Sequence, residues 1–466
     1  MFLDLDKKKS SSIAAVDSTG MQISYGELNG FANEFYSAIN KRTLIFILSE
    51  NTIGSLAGYV ASLSVKVVPL LLSSKTDKEV LDKLINLYRP EYLWLPERLS
   101  GDFNYDFSFR KFDYVLLKTG MEAFQLNDNL SLLLTTSGST GSPKLVRHSY
   151  SNVEENARNV AAFFELSPVE RAIAILPMQY TMGLSVITSH LFAGSAVLLV
   201  NGTLTDKSFW SFLKEHRATS FTGVPYSFEV LSKLRFTGMD LPDLKLLTQG
   251  GGKLSNKLFL EFAEYAHRTG RKFIATYGQT EGTARMDFLP ADMALAKPGS
   301  IGKAIPNGEL SLINENGEEI VETEASGEMV YRGPNVTLGY ALTGEDLIKG
   351  DENNGVLFTG DIAKRDAEGY YYIIGRLSRF LKLYGFRISL DETEQIVKSV
   401  FDIDCICTGN DEMMKIYITD RNKKDQIHNY VVDKTGLFHK AIEIEIIDEI
   451  PKNASGKTIY SNLSLQ

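Results

Sequence analysis

The stretch Thr135-Thr136-Ser137-Gly138-Ser139-Thr140-Gly141-Ser142-Pro143-Lys144 is built entirely from Thr, Ser, Gly, Pro and Lys. It follows an apolar run at 130–134. It precedes a segment in which Val153, Ala157, Val160, Ala161 and Phe164 recur at helical spacing. A polar, glycine-rich loop framed by a buried strand and a helix reads as a ligand loop rather than a linker. Glycines let the backbone approach an anion, successive N–H groups and hydroxyls can surround phosphate oxygens, and Lys144 adds positive charge. The loop does not fit G-x-x-x-x-G-K-[ST], because Lys144 follows Pro143 and precedes Leu145, which disfavours a P-loop NTPase.

Outward from this loop, helix starts alternate with short apolar runs. Ser24-x-x-Glu27, Thr76-x-x-Glu79 and Ser167-Pro168-x-Glu170 read as capping boxes, the last with Pro at the first helical position. Strand-like runs lie at 44–48, 67–72, 114–117, 172–176 and 196–200. The alternation predicts α/β layers around a largely parallel sheet. The most membrane-like stretch, 183–200, carries Ser185, Thr188, Ser189 and His190 and is broken by Gly194, so it reads as a buried helix followed by a strand. From about 308 to 374 helical periodicity gives way to short strands and turns such as Asn316-Gly317 and Glu368-Gly369, a β-rich subdomain. After Gly375-Arg376-Leu377-Ser378, residues 379–466 form a small α+β domain, with Ser389-x-x-Glu392 opening a helix to about 400. The expected division is therefore a large domain, 1–378, and a small one, 379–466.

At 466 residues the chain is long enough for about three folding units. With 44% apolar and 23% charged residues it has ordinary globular composition. Lys plus Arg (49) against Asp plus Glu (58) gives a net charge of −9, which argues against a chain that coats nucleic acid or anionic lipid; no DNA-binding motif is present either. The two cysteines, Cys405 and Cys407, are spaced C-x-C, which disfavours structural zinc and reads as two thiols on one face of a strand. So few cysteines, and an N-terminus (1–9) without an apolar core, predict a cytoplasmic protein without a secretory signal or membrane span.

Five further stretches carry chemistry. Tyr277-Gly278-Gln279-Thr280-Glu281-Gly282 ends a strand, where an open α/β sheet places its ligands, and a carboxylate beside phosphates makes sense through Mg²⁺. Leu247-Thr248-Gln249-Gly250-Gly251-Gly252 offers three glycines against which a flat group can lie. Phe358-Thr359-Gly360-Asp361 presents an acid suited to ribose hydroxyls, Gly375-Arg376 a cation, and Pro451-Lys452-Asn453-Ala454-Ser455-Gly456-Lys457 a glycine-supported lysine near the C-terminus.

Taken in this order, the six stretches resemble the adenylate-forming superfamily of acyl-CoA synthetases, aryl-CoA ligases, luciferase and peptide-synthetase adenylation domains, over nearly the whole chain. The resemblance implies ATP and Mg²⁺ as cofactors and a two-step reaction: a carboxylic acid displaces pyrophosphate to give an acyl-AMP, and a pantetheine thiol then takes the acyl group. It implies that Thr136, Ser137, Gly138, Ser139, Thr140, Gly141 and Lys144 hold the β and γ phosphates, and that Gly250, Gly251, Gly252, Tyr277 and Gly278 flank adenine. Thr280 would contact the α-phosphate, Glu281 would bind the metal, and Asp361 and Arg376 would hold the ribose. Lys457 would bridge the substrate carboxylate and the α-phosphate, until the small domain swings about Ser378 and brings Lys382 and Gly385 to a thiol tunnel.

Some positions depart from that pattern. Leu145 stands where a glycine is usual, and Ser378 where the hinge is usually acidic. Tyr150 replaces a frequent histidine, and His148, two places earlier, reads as a surface or capping residue. The acid pocket is expected around Gln179, Tyr180, Thr181, Gly183, Val224 and Gln249. None of residues 178–185 is acidic, so an α-amino acid is disfavoured against a plain acyl or aryl acid. No carrier segment follows Lys457, so the expected acceptor is CoA or a separate acyl carrier protein. The rivals are adenylation without a thioester and a non-catalytic nucleotide binder.

Overall fold

A computed structural model of the protein describes residues 2–136, 144–383, 386–410, 412–435, 437–452 and 458–460. Two large sheets dominate these residues. In the first, six parallel strands run in the order Lys272–Tyr277, Leu246–Gln249, Ser220–Gly223, Arg171–Ala174, Ala196–Leu199 and Ile13–Asp17, with antiparallel strands at both edges. In the second, Leu130–Thr135, Val68–Ser73, Leu44–Ser49 and Tyr92–Pro96 are parallel neighbours.

Period-two side-chain alternation assigns each strand to two cores at once. Ile45 and Ile47 face the helices between the sheets, whereas Leu44, Phe46 and Leu48 face outward toward helix Lys78–Tyr88. The other sheet does the same: Val197 and Leu199 face inward, and Ile173 and Leu198 face the outer helices Lys207–Glu215, Pro225–Lys233 and Asn256–Thr269. The result is five layers, helix–sheet–helix–sheet–helix. Leu28, Leu56, Val153 and Ile187, one from each of four helices, fill the central layer. Helix Thr181–Ala193 is buried from Thr181 to Leu191, as a helix apolar on every side must be, and it stops at left-handed Gly194. It is too short to span a bilayer, and among the described residues no helix is long and apolar enough to do so.

Local structure corrects four sequence readings. Helix Lys78–Tyr88 is capped by Asp77, whose carboxylate accepts from the Glu79 and Val80 amides, and not by Thr76. Ser167-Pro168-x-Glu170 opens no helix; the Glu170 amide closes a turn onto the Ser167 carbonyl and the chain enters strand Arg171–Ala174. The loop after Leu130–Thr135 does not run straight into a helix. A second strand, Leu145–Ser149, returns antiparallel beside the first before helix Tyr150–Phe163 begins. His148 is neither surface nor cap: it is fully buried in that strand, its Nδ1 3.2 Å from the Thr283 hydroxyl.

Residues 309–376 make a four-stranded antiparallel sheet, Glu309–Ile313, Ala325–Arg332, Val356–Arg365 and Tyr371–Arg376, around Leu312, Met329, Ala363 and Tyr371. Beyond it, Cys405–Gly409, Met414–Ile418 and Ile442–Ile446 form a three-stranded sheet. Helices Leu390–Phe401 and Lys424–Thr435 share a separate core with it, built on Val397, Ile416, Ile418, Val431 and Ile444. Ser389 caps the first of these helices through the Glu392 amide. Cys405 and Cys407 are free and point to the same side of their strand.

Arg147 ties the hairpin to a distant segment. Its fully buried guanidinium donates to the carbonyls of Tyr340 (3.1 Å), Leu338 (2.8 Å) and Gly350 (3.1 Å) and pairs with Glu352 (2.5 Å). Arg147→Met removes these hydrogen bonds and the ion pair at a fully buried position, and is expected to cost roughly 3 kcal/mol in urea unfolding. Burial also depresses the basicity of two imidazoles, His148 to about 3 and His190 to about 4. Both are neutral in the folded protein. The stability this confers is complete above about pH 6.5 and is lost as pH falls toward the folded-state values, because the unfolded chain then binds protons that the folded chain refuses. Unfolding free energies between about pH 7 and about pH 4.5 should fall more steeply for the wild type than for His148→Gln, by up to one proton, about 1.4 kcal/mol per pH unit. Equal slopes would show that His148 is protonated in the fold.

Candidate active site

A cavity of about 540 Å³ opens where strand Lys272–Tyr277, the mouth of the hairpin, the N-terminus of helix Thr181–Ala193 and strand Val356–Arg365 converge. This is the carboxyl end of the parallel strands, where open α/β sheets hold ligands. Of the residues singled out in the sequence, Thr136, Lys144, Tyr180, Thr181, Gly251, Tyr277, Gly278, Thr280, Glu281, Asp361 and Arg376 line it.

The turn after Tyr277 is shaped by close packing. A β-carbon on Gly278 would stand 1.4 Å from the Ala284 carbonyl oxygen, so only glycine fits. Thr283 and Ala284 both take positive φ, 51° and 77°, a conformation that is costly for a β-branched residue. Thr283 is held there because its hydroxyl donates to the Asn335 carbonyl at 2.6 Å and lies against His148, while the Asn335 amide donates to the Gly282 carbonyl. The doubled-back chain presents Thr280 and Glu281 to the cavity. Thr181 donates to the Thr280 hydroxyl at 2.9 Å, and Tyr340 donates to the Glu281 carboxylate at 2.6 Å. The Lys144 ammonium sits over the Tyr340 ring, 4.1 Å from its centre. Tyr340 therefore touches the cation and the carboxylate together. Burial and Glu281 raise its hydroxyl above the ordinary range, so it remains a donor.

At the other end of the cavity stands Asp361, its carboxylate almost wholly buried. It accepts from the Tyr277 hydroxyl and from Gln279 Nε2 (3.0 Å), and lies 3.2 Å from Nε of the exposed Arg376. Burial raises the Asp361 carboxyl above its ordinary value, against the opposing pull of Arg376. Burial first, then Asp361, pushes the Tyr277 hydroxyl far up. One end of the cavity thus offers hydroxyls and an ammonium to an anion, and the other a buried acceptor suited to hydroxyl groups.

Other sequence candidates are placed differently. Gly250 and Gly252 flank the cavity-lining Gly251 without lining the cavity. Gln249 turns its amide onto the Gly252 carbonyl at 2.7 Å and so shapes that turn. Gln179 accepts from Ser49 at 3.1 Å, toward the second sheet. Gly183 packs against the Leu176–Pro177 carbonyls, where a β-carbon would come within 2.3 Å of the Pro177 oxygen. Val224 is buried with Leu176 and Met182 behind Tyr180. Ser378 lies in the turn Leu377–Arg379, and Lys382 in strand Phe380–Leu383, paired with Arg387. Ser137, Gly138, Ser139, Thr140, Gly141, Gly385 and Lys457 lie outside the described residues.

Sequence reasoning did not single out Tyr340, Arg285 or Gln279 as site residues. Gln279 sits inside a quoted motif and could have been found there. Tyr340 comes from a strand 59 positions beyond Glu281, and its register is not readable from local pattern. Among the described residues no group of three or more His, Cys, Asp or Glu is arranged to hold a metal by itself, so Glu281 is a lone carboxylate at its end of the cavity.

A model of the family described as AMP-binding enzyme matches residues 5–341. The oxalate–CoA ligase of Arabidopsis thaliana is 28% identical over 352 residues, 71% of this chain and 66% of that one. The luciferin 4-monooxygenase of Photinus pyralis is 24% identical over 434 residues, 90% of this chain and 74% of that one. The matched stretch thus spans about two thirds of the first relative's length. Among solved structures, the o-succinylbenzoate CoA synthetase of Bacillus subtilis, in complex with its acyl-adenylate intermediate, superposes with a TM-score of 0.80 at 20% identity, covering 99% of this chain and 97% of that one. The five-layered body, the cavity at the strand ends and the match over 5–341 lead to one conclusion: this chain belongs to the AMP-binding enzyme family.

Proposed function

We propose that the protein activates a carboxylic acid with ATP, forming an acyl-adenylate and releasing pyrophosphate, and then transfers the acyl group to the thiol of CoA. The observation that carries this reading is the single cavity that joins Lys144, Thr280 and Glu281 at one end to Asp361 and Arg376 at the other. A nucleotide that lays its phosphates on the first group and its ribose on the second spans that cavity. Gly251, Tyr277 and Gly278 then face the base.

The donor set fits Mg²⁺. This ion keeps several waters and is bound by one or two carboxylates together with substrate phosphates, which is what Glu281, among the described residues the one carboxylate lining that end of the cavity, can offer. Bound there, Mg²⁺ supplies charge neutralisation on the phosphate oxygens. The chain's own part is positional. Tyr340 holds the Glu281 carboxylate, Thr181 orients the Thr280 hydroxyl toward the α-phosphate, and Lys144 faces the β and γ phosphates with the loop residues 136–141. In the first step a substrate carboxylate oxygen bonds to the α-phosphorus and the bond to pyrophosphate breaks. Two anions meet, and preorganised cations offset their repulsion. Lys457 is assigned to that charge. In the second step the thiolate bonds to the acyl carbon and AMP leaves.

For this second step we assign 1–378 and 379–466 as two domains with Ser378 as hinge, and Lys382 and Gly385 as the lining of the thiol path. Tyr180 and Thr181 are the residues assigned to the acid. The free Cys405 and Cys407 fit a reducing, cytoplasmic setting. A second reading, adenylation without a thioester or with a carrier protein as acceptor, is kept open by one observation: a relative over 90% of this chain is named as a monooxygenase, not a ligase.

Acid-dependent exchange of pyrophosphate into ATP tests the first step, and adding CoA or a carrier thiol to the exchanging acid separates the acceptors. Lys457→Ala is expected to lower exchange about 10²–10³-fold while ATP binding, followed by calorimetry, persists. Glu281→Gln should lose exchange and its dependence on Mg²⁺ together, and Asp361→Asn should act chiefly by raising the KM for ATP. Full exchange in Lys457→Ala would remove that lysine from the mechanism.

A further inference from the structure

Arg285 is the least explained charged group in the molecule. It follows the strained pair Thr283–Ala284, and its carbonyl is clamped by the side-chain amides of Asn156 (2.8 Å) and Asn335 (3.3 Å). Its side chain is 2% exposed and lines the cavity together with Tyr180, Thr181 and Met182. Its guanidinium lies 4.7 Å from the centre of the Phe164 ring, yet none of its three nitrogens has a hydrogen-bond partner. The neighbouring carboxyl, Asp287, is no counter-ion: it accepts from the Tyr277 amide, and its other oxygen is itself without a partner. Burial lowers the basicity of Arg285 to about 9, which leaves it a cation at neutral pH.

A buried guanidinium with all its donors unspent is costly in the fold, and folds retain such a group where a ligand completes it. Its planar fork matches a carboxylate in two parallel hydrogen bonds. A second orphan points the same way. Ser185, one helical turn beyond Thr181 on the same face of helix Thr181–Ala193, carries a buried hydroxyl that also lacks a partner. Arg285 lines the cavity with Tyr180–Met182, the side assigned above to the acid, and Ser185 lies in the helix that forms that wall.

We propose that the acid this enzyme activates carries a second carboxylate, distal to the one that is adenylated, and that Arg285 receives it, with Ser185 as an additional donor. The substrate class is a dicarboxylic acid, aliphatic or aryl, and Arg285 is the specificity-determining residue. This inference rests on the acid-activating function proposed above.

The test is pyrophosphate exchange with dicarboxylic acids, each paired with the mono-acid in which the distal carboxyl is replaced by a methyl group. The wild type should favour the diacid by at least about tenfold in kcat/KM. Arg285→Met should lose that preference, falling about a hundredfold on the diacid, mainly through KM, with the KM for ATP unchanged. Arg285→Lys should restore part of it. Because the Arg285 guanidinium makes no hydrogen bond in the fold and methionine can still pack on the Phe164 ring, Arg285→Met should melt no lower than the wild type. Equal or better use of the mono-acids by the wild type overturns the inference while leaving acid activation intact. A raised KM for ATP with every acid in Arg285→Met would make the residue a phosphate ligand, and a lowered melting temperature a structural one; either overturns the inference. Exchange with no acid of either class overturns the proposed activity and this inference with it.

Discussion

Gly278 passes so close to Ala284 that the chain between them is fixed as a tight doubled-back turn, and the chemistry of the cavity hangs on that contact. Because the backbone returns on itself there, Tyr277 meets Asp361 on one side while Thr280 meets Thr181 and Glu281 meets Tyr340 on the other. Two non-glycine residues in left-handed conformation complete the turn. Strain of this kind persists only where surrounding contacts over-determine it. Asn335, 52 residues beyond Thr283, supplies those contacts with its side-chain amide and its carbonyl.

The hairpin is joined to the turn by a chain of polar contacts. Arg147 gathers the carbonyls of Leu338 and Tyr340, which fixes the short strand Tyr340–Ala341 beside Leu145–Ser149. Tyr340 then places its ring under Lys144 and its hydroxyl on Glu281. The first link, Arg147, is fully buried and hydrogen-bonded, and such a group specifies a single arrangement because every alternative leaves a donor or acceptor unpaired. Lys144 thus rests on the same residue that steadies the Glu281 carboxylate.

Much of the layered body was legible in the sequence, since strands such as Leu44–Ser49 and Val68–Ser73 are apolar runs and helix Tyr25–Ile39 carries its capping box. The strand Leu145–Ser149 was not. Arg147, His148 and Ser149 make its second half look like surface, whereas they are buried against other segments. Ser167-Pro168-x-Glu170 failed for a related reason: the same letters that cap a helix also close a turn, and the pull of the strand beside Ala196–Leu199 decided between them. Within the site, residues from one motif were found, because a motif is local. Tyr340 and Arg285 owe their importance to what they meet or fail to meet across the fold, and no spacing rule records that.

Helix Thr181–Ala193 lies in the central layer, packed on both sides, and its first turn forms a wall of the cavity. A wall that is also shared core cannot shift or tilt without disturbing two sheets. Diversification of this pocket over evolutionary time is therefore confined to exchanging side chains on an immobile backbone. A single exchange, at a position such as 181, 182 or 285, becomes the natural unit of change in what the pocket accepts. Loop insertions, the usual source of novelty in layered enzymes, have room only at the outer edges, away from this wall.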